Sequence, residues 1–167
     1  NFKSFAKSYI KSSGGSKATT KSSVAGINVG KDYLGFLSGV SNDGLNETLQ
    51  KYDLSDCIGK SSEEVIAKIA DRIAPIGSTN DEAIARVAVM LALDRLYIKI
   101  LDSGRDIEAL DSLDSETLSD TVIEFVSAYI FKKWVYEAGI ALERNDLSES
   151  EAIKLENDIS CSLRNTR

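Results

Sequence analysis

Histidine is absent from all 167 residues, proline and tryptophan occur once each, and there are only two cysteines. Without histidine the commonest general base and metal ligand are gone, which excludes hydrolytic triads and histidine–zinc centres. Chemistry run by carboxylates alone survives that cut. The cysteines, Cys57 and Cys161, lie far apart and follow no metal or redox spacing. No apolar run approaches the ~18–20 residues that a membrane helix needs, and no signal peptide with a cleavage site is visible. A cytoplasmic protein without cofactor or metal is the expectation. The chain opens on Asn1 rather than Met, so an N-terminal piece is expected to be missing.

What is present suits one domain. Hydrophobic residues make up 43% of the chain, enough to bury a sizeable core. Charge is unevenly placed. Residues 1–31 hold six lysines (Lys3, Lys7, Lys11, Lys17, Lys21, Lys31) and no acid, a net +6, while the remainder carries −12. A basic arm on an acidic body suits an anionic partner. It equally suits lysines that solvate a helix face or neighbour the body's own acids. No arginine joins these singly spaced lysines, so a nucleic-acid reading is weak.

The patterning is helical throughout. Phe2, Phe5, Ala6, Tyr9 and Ile10 form a stripe opposite Lys3, Lys7 and Lys11, and residues 12–16 break it as a Ser/Gly joint. This predicts an N-terminal basic helix and joint over 1–16 and a helical body over 17–167. A single long helix is predicted over 17–40 despite Gly26, Gly30, Gly35 and Gly39. Each glycine costs a helix roughly 1 kcal/mol against alanine, so close approach of another backbone is expected there. Tyr33, Leu34, Phe36 and Leu37 should enter the core. Asn42-Asp43-Gly44 reads as a turn, followed by a short helix over 45–51 and another brief turn over 54–58 before Gly59. Capping boxes Ser61/Glu64, Thr79/Glu82 and Ser148/Glu151 open further helices to about Ala74, Leu101 and Leu163. Pro75 stops the first. The second is apolar on nearly every side, which predicts a central helix. A short turn over 107–110 precedes the longest helix, 115–143. The last helix is expected to turn Ala152, Ile153, Leu155, Ile159 and Leu163 inward. No stretch alternates with period two. The fold class is all-α: a single compact domain of about six to seven helices with an N-terminal helical arm.

Candidate sites compete with plain structural roles. Gly14-Gly15 lacks the Gly-Lys-Ser/Thr of a phosphate loop and reads as a joint. Asp111, Asp114 and Glu116 lack the glycine and terminal glutamate of a calcium loop. The pairs Glu63–Glu64 and Asp81–Glu82 sit in first helical turns, where the helix dipole favours acids. Cys57 follows Asp56, whose charge raises a thiol pKa. Lys132-Lys133 beside Trp134 suits a phosphate or an aromatic partner, against the plainer reading of a solvent face. The N-terminal stripe of Phe2, Phe5, Tyr9 and Ile10 is the other candidate partner-binding element, against the alternative that it folds back on its own domain.

Three segments carry a resemblance. The first is the Ser-Gly-Gly joint with the small-residue helix ending in Tyr33-Leu34-Gly35-Phe36-Leu37-Ser38-Gly39-Val40. The second runs from Gly44 through Leu54, Ile58-Gly59-Lys60 and Glu63-Glu64-Val65 to Ala70-Asp71. The third is Pro75 with Gly77-Ser78-Thr79-Asn80-Asp81-Glu82-Ala83-Ile84-Ala85-Arg86. In that order and spacing, over roughly Phe2 to Asp158, the chain resembles the QatB family, a component of the four-gene Qat anti-phage defence system. That resemblance implies bacterial antiviral immunity alongside an ATPase, a QueC-like deazapurine-synthesis enzyme (QatC) and a TatD-like nuclease. It implies no assigned activity for the family's own member. Relatives usually begin with a Gly/Ser/Pro-rich leader, which this sequence lacks. The expectation is a non-catalytic adaptor that docks on the QueC-like partner, with the leader as a possible substrate. The alternative is a nucleic-acid sensor acting through the basic arm.

Overall fold

The computed structural model describes residues 2–102 and 107–143, together with residues 150, 153, 154 and 157. Among them are seven α-helices and no strand: α1 (Phe2–Ser12), α2 (Ser16–Ser22), α3 (Val24–Asp43), α4 (Leu45–Lys51), α5 (Ser62–Ile73), α6 (Asn80–Asp102) and α7 (Ser115–Glu143). Single-turn 3-10 helices at Ser55–Cys57 and Ile107–Ser112 fill the connections. The fold is all-α, as the periodicity predicts.

Local chemistry sets most of the boundaries. At the start of α6, Thr79 Oγ1 accepts from the Glu82 N–H at 3.2 Å, and Glu82 Oε2 accepts from the Thr79 N–H at 2.9 Å. That reciprocal pair satisfies donors the helix cannot satisfy itself. It also holds the Glu82 carboxyl below its usual range, chiefly through the Thr79 hydroxyl. Ser61 Oγ accepts from the Glu64 N–H at α5, and Asp114 accepts from the Thr117 N–H at α7. Ala74, the residue before Pro75, ends α5 in a non-helical conformation. The Gly14-Gly15 joint is a turn with φ of 86° and 90°, a region costly for residues with a Cβ.

The core gathers around α3 and α6. Tyr33, Phe36, Leu37 and Val40 of α3 meet Ala85, Ala88, Val89, Ala92, Leu93, Leu96 and Ile100 of α6, with Leu49, Val65, Ile69 and Phe125 closing the sides. Full burial of one such large side chain is worth about 1.5–3 kcal/mol over leaving it in water. Leu34 stands apart from its neighbours and is exposed.

The structure corrects several expectations. The predicted helix over 17–40 is two helices, because the backbone breaks at Ser23 (φ −122°, ψ 29°). Its glycines do not admit another backbone. A Cβ on Gly26 would overlap the Tyr129 ring, and one on Gly30 would come within 2.9 Å of Phe125 Cε1. Gly26 and Gly30 seat aromatic rings of α7, whereas Gly35 meets the Tyr52 hydroxyl and Gly39 the Thr48 side chain. Finally, α6 is central on its inner side only: Val87, Met90, Leu91, Ile98 and Leu101 are 38–49% exposed. The last predicted helix falls largely outside the described residues, as do Cys161 and the Ser148/Glu151 box. Ile153, expected inward, is exposed.

Candidate functional site

Along α7 the residues Thr121, Phe125, Tyr129, Lys133 and Glu137 recur every four positions, so each neighbours the next in a ridge that winds slowly around the helix. This row runs against α3, the Ser23 break and α1 in turn. Phe125 meets Tyr33 with ring centroids 5.8 Å apart and fills the space left by Gly30. Tyr129 stacks on Phe125 at 6.3 Å and fills the space left by Gly26. Beyond it the row turns polar.

Lys133 is 95% buried and every ammonium proton has an acceptor. Nζ donates to Asp81 Oδ1 at 2.8 Å, to the Tyr129 hydroxyl at 3.2 Å and to the Ser22 carbonyl at the end of α2. Asp81, in the first turn of α6, is equally occupied. Oδ1 also accepts from the Tyr129 hydroxyl at 2.6 Å, and Oδ2 accepts from the Ala25 N–H at 3.0 Å. Ser23, the residue before α3, makes no cap through its side chain, so Asp81 caps α3 from 56 residues away.

Electrostatics follow this geometry. Burial pushes the Asp81 carboxyl up, but hydrogen bonds from Lys133, Tyr129 and Ala25 outweigh it and hold the group below its usual range. Burial, then donation to Asp81, raises the Tyr129 hydroxyl far above the ordinary tyrosine range. One row position further, the Tyr9 hydroxyl of α1 donates to Glu137 Oε1 at 3.2 Å. Burial, then the Glu137 charge, raises Tyr9 likewise.

The cluster's groups are engaged with one another: an ammonium with three acceptors facing a carboxylate with three donors. Such an arrangement fixes chain segments in place. Its donors and acceptors are paired within the chain. Burial raises the thiol of Cys57, with the Asp56 charge adding to the effect, which lowers its nucleophilicity. Among the described residues no group of three or more acidic or cysteine side chains is placed as a metal site would be.

The predicted site residues divide between interior and surface. Tyr9 of α1 is turned inward against the α7 row to which Lys133 belongs, and Lys133 does not lie on a solvent face. Lys132 is exposed, Ile10 is half-buried, and half-buried Trp134 stacks on Phe131 at 6.5 Å. The side chains of Phe2 and Phe5 lie outside the described residues. Asp81 is the residue that sequence reasoning left as an ordinary first-turn acid. Its one distinguishing signal is that Glu82 alone completes the capping box, leaving Asp81 free for another task.

The family model of the Qat anti-phage system associated protein QatB matches residues 14–166. The chain belongs to the QatB family. Neither a curated protein nor a solved structure matches it. QatB membership makes the chain a component of an anti-phage defence system, and a multi-component system implies partner proteins. The matched span takes in the Gly14-Gly15 turn, the glycine-seated rings and the Lys133–Asp81 cluster. No helix among the described residues is long and apolar enough to cross a membrane.

Proposed function

We propose that the chain is a non-catalytic adaptor of the Qat system, working by docking on protein partners in the cytoplasm. The QueC-like enzyme (QatC) is the first of these partners, ahead of the ATPase and the TatD-like nuclease. Any segment preceding α1 in the full-length protein is what that enzyme reads or modifies. The observation that carries this reading is the internal satisfaction of the buried charged cluster, which supports a packing role for the residues best placed to do chemistry. A QueC-like enzyme activates a carboxylate and joins it to nitrogen, so an adaptor that brings it a polypeptide end suits its chemistry.

The test is co-purification of the full-length chain with the QueC-like protein, followed by intact mass of the chain before and after incubation with that protein and ATP. A complex at micromolar concentration and a defined mass increase are expected. Absence of any complex would remove the docking role. Turnover of a substrate by the purified chain alone would remove the non-catalytic one.

A second reading rests on a separate observation. Lys7, Lys11, Lys17, Lys21 and Lys31 are all exposed, and none forms an ion pair among the described residues. A basic surface left unneutralised suits nucleic-acid phosphate. Binding of that kind weakens steeply between ~50 and ~200 mM salt, whereas apolar docking between proteins changes little.

A further inference from the structure

The outer side of α6 carries an apolar stripe that the fold does not use. Val87, Met90, Leu91, Asp94, Ile98 and Leu101 fall within about 100° of one another around the helix at 3.6 residues per turn. All six are exposed. The stripe extends for about 20 Å along the axis at 1.5 Å per residue. α7 runs antiparallel beside it, as Arg95–Glu124, Lys99–Asp120 and the contact of Asn80 with Tyr136 establish. Ile123 and Val126 add exposed apolar surface from α7.

Charge decides what this face accepts. The polar side chains bordering the stripe are engaged within the chain: Arg86 with Asp71, Arg95 with Glu124, Lys99 with Asp120 and the Tyr97 hydroxyl with Glu63 at 2.9 Å. Asp94, in the middle of the stripe, has no ion pair among the described residues. A carboxylate enclosed by apolar surface at an interface needs a cation opposite it. Two copies of this chain pairing antiparallel about the stripe would set Asp94 against Asp94, which is repulsive.

We propose that the outer face of α6, with the adjoining edge of α7, docks an amphipathic helix of a partner protein whose apolar stripe carries one lysine or arginine opposite Asp94. This rests on the adaptor reading above and assigns it a surface. Helix-in-groove recognition reads anchors at i, i+3/i+4 and i+7, the spacing that Val87, Leu91, Asp94 and Ile98 present.

The experiment measures Kd between the full-length chain and the purified Qat proteins for wild type, Asp94→Lys and Leu91→Glu. Charge reversal is expected to weaken binding about tenfold or more, and the anchor substitution about a hundredfold. Both positions are exposed, so Tm should stay unchanged. A photo-crosslinker at position 98 should map to a helix with one basic residue among apolar ones, and reversing that residue to Asp should restore binding to Asp94→Lys. Wild-type affinity in both variants overturns the surface while leaving the adaptor reading intact. Cross-links between two copies of the chain, with sedimentation as a dimer, overturn it in favour of self-association. Cross-links to a surface without a basic residue also overturn it, and no binding by the wild type removes the surface and the adaptor reading together.

Discussion

Among the described residues, α3 and α4 begin without a side-chain cap of their own, and each borrows a carboxylate from far along the chain. α3 starts after Ser23, whose side chain makes no cap, and its Ala25 N–H goes to Asp81. α4 starts after Gly44, which has no side chain, and its Leu45 N–H goes to Asp111. The two acids then differ. Asp111 sits exposed on a 3-10 turn and has no ion pair among the described residues. Asp81 is drawn inward and held by Lys133 and the Tyr129 hydroxyl. A carboxylate near water can cap a helix on its own, whereas one drawn into the protein needs a counter-charge. Lys133 supplies that charge and is itself fixed to the end of α2.

That difference can be broken at several points. The largest effect is expected from Lys133→Ala, which leaves Asp81 without its cation and the Ser22 carbonyl without its donor. Breaking a buried pair costs about 3–5 kcal/mol, and the partial exposure of Asp81 places this case nearer 3. Urea denaturation measures it, and a loss below about 1 kcal/mol would show that water already screens the pair. Gly26→Ala comes next, at about 2–3 kcal/mol, because its methyl would displace the ring that orients Asp81. Gly30→Ala should cost less. Gly35→Ala should lie near zero, since it meets only the Tyr52 hydroxyl at 3.2 Å and gains about 1 kcal/mol of helix propensity. Asp111→Ala should cost about 1 kcal/mol, the ordinary value of a cap.

A further effect is an acid one. The Asp81 carboxyl is lowered in the folded chain, so the folded state binds its proton later than the unfolded state does. Its stabilisation is full above the ordinary aspartate value of about 3.9 and is lost as pH falls through the lowered folded value. Lys133→Ala should reduce this part of the acid dependence, leaving what the Tyr129 and Ala25 hydrogen bonds supply. An identical acid slope in wild type and variant would contradict the assignment.

The fold was readable where its causes are local. The Thr79/Glu82 and Ser61/Glu64 boxes, Pro75 and the long apolar period of α7 place their helices within a residue or two of where they lie. The break at Ser23 was not readable, because neither glycine nor proline marks it and the groups that hold it lie on α6 and α7. Lys132 and Lys133 are indistinguishable in sequence. Only the 100° step between them sends one to water and the other to Asp81. The glycine spacing did announce a close neighbour, but that the neighbour is an aromatic ring depends on α7 lying antiparallel to α3. The outer stripe of α6 misled for the opposite reason: hydrophobicity all round predicts burial, and part of it faces outward.

The polar end of the α7 row has one more consequence. The row passes from stacked rings to a charged pair to a single tyrosine hydroxyl as it moves from α3 toward α1. The last of these contacts is the weakest, so α1 is expected to part from α7 before the Lys133 pair opens. The Gly14-Gly15 turn is the hinge for that opening, while Lys133 still holds the Ser22 carbonyl and the rings stay seated on Gly26 and Gly30. Amide exchange should register a sharp rise in protection on crossing that hinge.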